Sequence, residues 1–285
     1  MRTEIKAGYS RRDSIIYSLG IGCTNLKYLY ENNDKFAAFP TVALALSLKG
    51  DADDVQAFPP PFFSVSSVPV NGPVLDGERL LELRRPLRSS ESLVMTVDET
   101  AVARAGSGAV VQTETSMRDS KSGEEVVKLT SNTFYVGATD VAGRGVARKF
   151  VRPVPSDREP DCVVERATAG NQTALYRLSG DYNPLHIDPE IAGVFGYKEP
   201  ILHGLCTLGF AAQIVVETMA EGDESRLSKV GCRFSKPAFP NRLLRVEMWK
   251  RENNSVSFRV LDKQSGAVVI DQAFVEFNMQ TSCRL

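Results

Sequence analysis

From His203 to about Met219, apolar side chains occupy nearly every face of a helical wheel: Leu205, Leu208, Phe210, Ala211, Ile214, Val215 and Val216. A helix without a polar face must be enclosed rather than laid on a surface. The residues that follow can enclose it. Leu243–Lys250, Ser255–Leu261 and Val268–Phe277 show alternation or β-branched runs, interrupted by Asn253-Asn254 and Gln264-Ser265-Gly266. This is the pattern of antiparallel strands joined by tight turns. The expected architecture is α+β, a sheet wrapped round one buried helix.

The N-terminal half echoes this plan weakly, at a pitch of about 130–150 residues. Arg85-Pro86 followed by Leu93 matches Lys236-Pro237 followed by Leu244, and Ser122-Gly123 with Val126-Val127 matches Ser265-Gly266 with Val268-Val269. Leu75-Asp76-Gly77 aligns with Leu202-His203-Gly204, but far fewer residues separate Gly77 from Pro86 than Gly204 from Pro237. The first copy therefore lacks room for the buried helix at that point. The expected division is an incomplete first repeat over 1–140, a linker over 141–160 and a second, chemically active repeat over 161–285.

Composition narrows the function classes. The 285 residues suffice for a full core without staples. Lys and Arg number 34 against 35 Asp and Glu, a net charge of −1, which argues against nucleic acid as the partner. The longest apolar runs, Val42–Leu48 and Cys206–Val216, fall short of the ~20 residues of a membrane helix. The opening Met1–Lys6 lacks the apolar core of a signal peptide. Five scattered cysteines without a C-x-x-C pair suggest neither a disulfide framework nor structural zinc, and so a reduced intracellular compartment.

Only two histidines occur, His186 and His203, both in one stretch dense in reactive side chains. Gly180-Asp181-Tyr182-Asn183-Pro184 reads as a turn, because Gly, Asp and Asn favour turns and Pro184 excludes Asn183 from the helical region. Asp188-Pro189 reads as the start of a short helix. A carboxylate at Asp181 and an imidazole at His186 can share one water molecule, with Asn183 holding it. Gly204 would offer a free N–H at the positive end of the buried helix, suited to a carbonyl oxygen gaining charge. These parts suit adding or removing water beside a thioester carbonyl. His203 is expected to pack or to orient the helix start. An iron site built from His186, Asp188 and His203 is the weaker alternative, and no metal is expected. Gly106-Ser107-Gly108 is a turn rather than a nucleophile elbow.

The run Tyr176-Arg177-Leu178-Ser179-Gly180-Asp181-Tyr182-Asn183-Pro184-Leu185-His186-Ile187-Asp188-Pro189 resembles, without a gap, the hydratase 2 motif of the MaoC-like (R)-specific 2-enoyl-CoA hydratases. Leu202–Leu205 and Arg233–Lys250 extend the likeness, as do Tyr17–Gly22, Tyr28–Glu31 and Phe39–Thr41. The resemblance implies a double hot-dog fold with an incomplete first repeat and one active site. It implies reversible hydration of trans-2-enoyl-CoA to (3R)-3-hydroxyacyl-CoA in peroxisomal β-oxidation. Asp181 and His186 would form the catalytic dyad, supported by Asn183 and the Gly204 N–H. Glu31, Gly77, Tyr182, Pro184, Leu185 and Phe234 would contact substrate. No cofactor is implied beyond the CoA carried by the substrate.

Two positions depart from the family pattern. Asp76 stands where a His is usual, and Ala105 where a Lys is usual; Arg104, Arg84 or Arg85 would then take over contacts to CoA. The terminal Ser282-Cys283-Arg284-Leu285 resembles a peroxisomal address, which implies an import receptor as partner and the matrix as location. A homodimer is also open. The rivals are a thioester dehydratase running the reaction backwards and an acyl-CoA-binding module without turnover.

Overall fold

The computed structural model describes residues 4–60 and 67–279. Ten strands form one antiparallel sheet, in the order β1-β3-β4-β5-β2-β7-β10-β9-β8-β6. The first half supplies β1 (Glu4–Tyr9), β2 (Val74–Leu83), β3 (Glu91–Ala105), β4 (Gly108–Asp119) and β5 (Glu125–Val136). The second supplies β6 (Cys162–Ala167), β7 (Leu227–Phe234), β8 (Leu243–Arg251), β9 (Ser255–Asp262) and β10 (Val268–Phe277). The order reads alike from either edge to the central β2–β7 pair, which runs from Glu78↔Arg233 to Glu82↔Lys229. The arrangement is a double hot-dog.

The two longest apolar runs of the chain become its two buried helices. Of the helices α1 (Arg11–Gly20), α2 (Leu26–Leu29), α3 (Val42–Lys49), α4 (Gln172–Arg177), α5 (Pro189–Val194) and α6 (Gly204–Met219), α3 and α6 lie at the centre. Leu205 to Val216 of α6 are buried without a break, as its all-round apolarity requires. Close packing is visible at Gly231, where a Cβ would come within 2.4 Å of the Phe274 ring. One apolar core runs through both halves, from Tyr17, Phe39 and Leu81 to Leu208, Val246 and Phe258. Among the described residues, no helix is long and apolar enough to cross a membrane. Cys23, Cys162, Cys206 and Cys232 are free thiols; Cys283 and its neighbours lie outside the described residues.

The structure corrects one part of the repeat. Arg85-Pro86 and Lys236-Pro237 both follow the central strands, β2 and β7, and Ser122-Gly123 and Ser265-Gly266 both join the last two strands of a half. Leu75-Asp76-Gly77, however, lies within β2, whereas Leu202-His203-Gly204 leads into α6, whose first residue is Gly204. The first half's counterpart of α6 is α3, upstream of β2 and only 8 residues long against 16. Sequence similarity between two Leu-x-Gly triplets misplaced the gap; the helix is shortened and sits earlier in the chain.

The segment following β5 is a strap. It bridges to β3 at Val102↔Arg144 and covers a second apolar cluster including Val102, Val111, Tyr135 and Val141. It then crosses to the second half. There the Arg152 guanidinium lies 4.0 Å from the Phe274 ring centroid, and the Arg158 carbonyl accepts from Trp249 Nε1 at 3.2 Å.

Candidate functional site

Asp181 lies between two constraints. Gly180, at φ +121, would place a Cβ 2.5 Å from the Cβ of Lys49 at the end of α3, so only glycine permits this approach. Beyond it, Asn183 Oδ1 accepts from the Leu185 N–H at 3.0 Å and caps the single 3-10 turn Pro184–His186. The expected turn and the short α5 capped by Asp188 are both present. Asp188 Oδ1 is occupied by the Glu190 N–H at 2.8 Å. The side chain that joins the two histidines is instead Asp181: polar atoms of Asp181, His186 and His203 lie within 4.8 Å of one another.

The tautomers follow from the partners. A carbonyl can only accept, so the His186 Nδ1–H donates to Ile201 O at 2.9 Å, leaving Nε2 as a free base. His203 Nε2–H likewise donates to Asp181 O at 3.1 Å, and its Nδ1 is buried with no partner among the described residues. The two imidazoles stack, centroids 3.7 Å apart and planes at 27°. Stacked rings aim their in-plane lone pairs side by side rather than at one point, which does not suit a metal ion.

Burial dominates the electrostatics. It raises the Asp181 carboxyl above the ordinary aspartate range, opposed by His186, by the Asn183 N–H and by Arg79. It lowers the His186 imidazole, opposed by Asp181. His203 is held well below its usual value by burial and by His186, so its ring is neutral at physiological pH.

The first half takes part. The Tyr176 ring packs 4.8 Å from His203 and 5.9 Å from Tyr17, and Gln172 Nε2 donates to the Gly20 carbonyl, fastening α4 to α1. From β2, Arg79 favours the charged form of Asp181, and Asp181 in turn raises the carboxyl of Asp76. Asp76 stands out in the sequence only as a departure from the family pattern. Arg79 carries no sequence signal beyond its place in a strand, and the Ile201 carbonyl carries none.

Gly204 opens α6. His203 makes no side-chain cap there, so the first N–H groups remain available. A Cβ on Gly204 would meet the Phe234 ring at 3.1 Å, which brings Gly204 and Phe234 together. Tyr182 lies under the Arg177 guanidinium at 5.1 Å and lines a cleft of about 220 Å³ with Gly180, Lys49 and Arg12. A groove of about 430 Å³ on Glu82, Lys229 and Glu276 includes Arg84 but neither member of the dyad. Pro184 and Leu185 belong to the same 3-10 turn as His186. Glu31 is exposed in the turn after α2, and among the described residues no hydrogen bond joins it to the dyad. Gly77 admits a close cross-strand approach, 2.8 Å from a Cβ to Asn132 O. Arg85 is tied to Glu91 by bonds of 2.6 and 3.1 Å, whereas Arg84 and Arg104 are 43% and 66% exposed.

Comparison with known proteins gives the family. Residues 8–137 match the MFE-2 hydratase 2 N-terminal domain and residues 152–273 the MaoC like domain. The chain is 37% identical to the peroxisomal multifunctional enzyme type 2 of Mus musculus, over 96% of this chain but 37% of that protein. It thus spans less than half of the multifunctional relatives it matches. It is 34% identical to the peroxisomal enoyl-CoA hydratase 2 of Arabidopsis thaliana, covering 86% of this chain and 83% of the relative. The crystal structure of a MaoC-like dehydratase from Phytophthora capsici superposes with a TM-score of 0.93 at 36% identity, over 100% of this chain and 97% of the other. In sequence, fold and domain content alike, the chain belongs to the MaoC-like hydratase 2 family.

Proposed function

We propose that this chain hydrates trans-2-enoyl-CoA to (3R)-3-hydroxyacyl-CoA, and catalyses the reverse dehydration, in peroxisomal fatty acid β-oxidation. The observation that carries the proposal is a half-buried carboxylate next to a buried imidazole of defined tautomer, in the segment that leads to the uncapped start of α6. The family membership supports it.

Water sits between Asp181 and His186, giving one hydrogen to the carboxylate and the other to His186 Nε2. As its oxygen bonds to C3, Asp181 takes the proton. The C2–C3 π electrons move onto the thioester oxygen, which the Gly204 N–H and the helix N-terminus stabilise. Asp181 then passes its proton to C2, the enolate collapses, and the carboxylate is restored. His186 works as the neutral base that orients the water, which its lowered basicity favours. Asn183 holds the turn through Oδ1, so its Nδ2 group is the part that can reach a ligand. Phe234, Tyr182, Pro184 and Leu185 would line the approach of the substrate, with Gly77 and Glu31 as more distant members. No cofactor enters any step.

Peroxisomal residence is part of the proposal, because the relatives are named peroxisomal. Matrix delivery by a receptor reading Cys283-Arg284-Leu285, and a homodimer, are finer parts of it. A fluorescent fusion with and without those three residues tests the first, and sedimentation tests the second. The central test follows loss of enoyl absorbance with trans-2-decenoyl-CoA and resolves the product on a chiral column. A (3R)-3-hydroxy product is expected. Asp181→Asn should lower kcat by roughly 10²–10⁴ while ligand binding persists. Binding without turnover across short, medium and long chains would favour the binding-module alternative.

A further inference from the structure

Three consecutive residues ahead of α6 hold both members of the dyad. The Ile201 carbonyl accepts from His186 Nδ1 at 2.9 Å. The Leu202 N–H donates at 2.8 Å to the Ala238 carbonyl, in the connection between β7 and β8, and its side chain is buried. His203 then turns its ring back onto the turn that carries the dyad. Its Nε2 donates to the Asp181 carbonyl at 3.1 Å, and its ring stacks on His186 with centroids 3.7 Å apart. No step of the hydration uses His203.

Its contacts are not those of a helix cap or of a space-filling ring. The side chain makes no capping bond to α6. Its Nδ1 is buried without a partner, so the bond to the Asp181 carbonyl is the ring's one hydrogen bond among the described residues. An unmatched buried acceptor is costly, and an apolar ring of the same shape would avoid that cost. The ring also has little freedom. Tyr176 packs on it at 4.8 Å and Tyr17 on Tyr176 at 5.9 Å, and the Tyr17 hydroxyl donates to Thr41 Oγ1 at 2.8 Å. A row of rings thus runs from His186 through His203 into the first half.

We propose that His203 is the positioning residue of the dyad, its N–H setting the main chain at Asp181 while its ring face sets the plane of His186. The kinetic part of the proposal rests on the hydratase reading, in which one water is held between the two side chains. Both tasks need a single flat side chain with one N–H. A phenyl ring would stack but not donate; an amide would donate but not stack. Burial and His186 keep the His203 ring neutral, so the stack carries no charge repulsion.

The chain has only these two histidines, which makes their rings easy to read. Nitrogen NMR of protein carrying isotope-labelled histidine should show two neutral rings of opposite tautomer at neutral pH. His186 should carry its proton on Nδ1 and His203 on Nε2; His203→Gln removes one set of signals and so assigns the other. The same tautomer in both rings, or a charged His203, would overturn the proposal whether or not the chain hydrates enoyl-CoA. Absence of turnover in the wild-type protein would sink the hydratase reading alone. For kinetics, His203→Phe keeps the stack and loses the donor, and His203→Gln does the reverse. Each should lower kcat roughly ten- to a hundredfold, with KM within about threefold, when assayed well below its melting temperature. A ring that only fills space would leave His203→Phe fully active. The positioning role does not survive a kcat within about twofold of wild type in either variant, or a loss carried by KM instead. Should one variant fail to fold, the other decides.

Discussion

At Gly204 the space available to one hydrogen atom separates a binding site from a blocked helix end. The Phe234 ring lies where a side chain would begin, so Gly204→Ala must push the ring aside or keep a thioester oxygen away from the N–H. Losing one such donor costs about 10²–10³ in kcat, and steady-state kinetics of Gly204→Ala should show a fall near the lower figure with little change in melting temperature. Activity within threefold of wild type would show that the Phe234 ring yields and that glycine is not required at this position. Gly204, Asp181 and His186 could be singled out as candidates in the sequence, because few residue types can do this chemistry and only two histidines exist. The stacking of His203 on His186 was not, since two rings separated along the chain have no local pattern that brings them face to face.

At the level of elements, the short α3 and the turn bearing Asp181 belong together. α3 stops at Lys49, whose Nζ donates to the carbonyls of Gly8 and Ala52 at 3.1 and 2.6 Å, and Gly180 packs directly on it. A longer helix would occupy the room the turn needs. The incomplete first repeat is therefore what seats the turn that carries Asp181. Gly180→Ala adds backbone strain to a clash with main-chain and side-chain atoms of Lys49. It should cost roughly 2–4 kcal/mol and lower kcat/KM as Asp181 is displaced; a thermal melt paired with kinetics checks both. An unchanged melting temperature would mean that the turn can lift off α3 freely. The last three strands and the helices α5 and α6 of the second half were readable from alternation, apolar runs and turn residues, with Val268–Phe277 matched at both ends, whereas β6, β7 and α4 were not. The bulge at Gly77, where the pairing of β2 with β5 shifts, was hidden, because bulges depend on the partner strand.

The whole molecule is one sheet with one main core, and β2 and β7 are its centre. A fragment of residues 152–279 would expose the full edge of β7 and the apolar flank of α6. Exposed edges of this kind pair with other chains. Size-exclusion chromatography with light scattering should find the fragment dimeric or aggregated, and without turnover. A folded, active monomer would show that the first half is dispensable. That half supplies α1, which braces α4, and α3, on which Gly180 packs, so a candidate site whose dyad lies wholly in one half is supported by the other.

The sequence by itself determined the buried helix, the strands around it, the turn, and the side chains able to move a proton, because each depends on local periodicity or on scarce residue types. Tertiary structure alone decided where the first half's shortened helix sits, which main-chain carbonyls set the histidine tautomers, and that the two imidazoles stack. These are contacts between residues far apart in the chain. Their energies come from burial and charge at short range, which exist only once the sheet has closed around its helices.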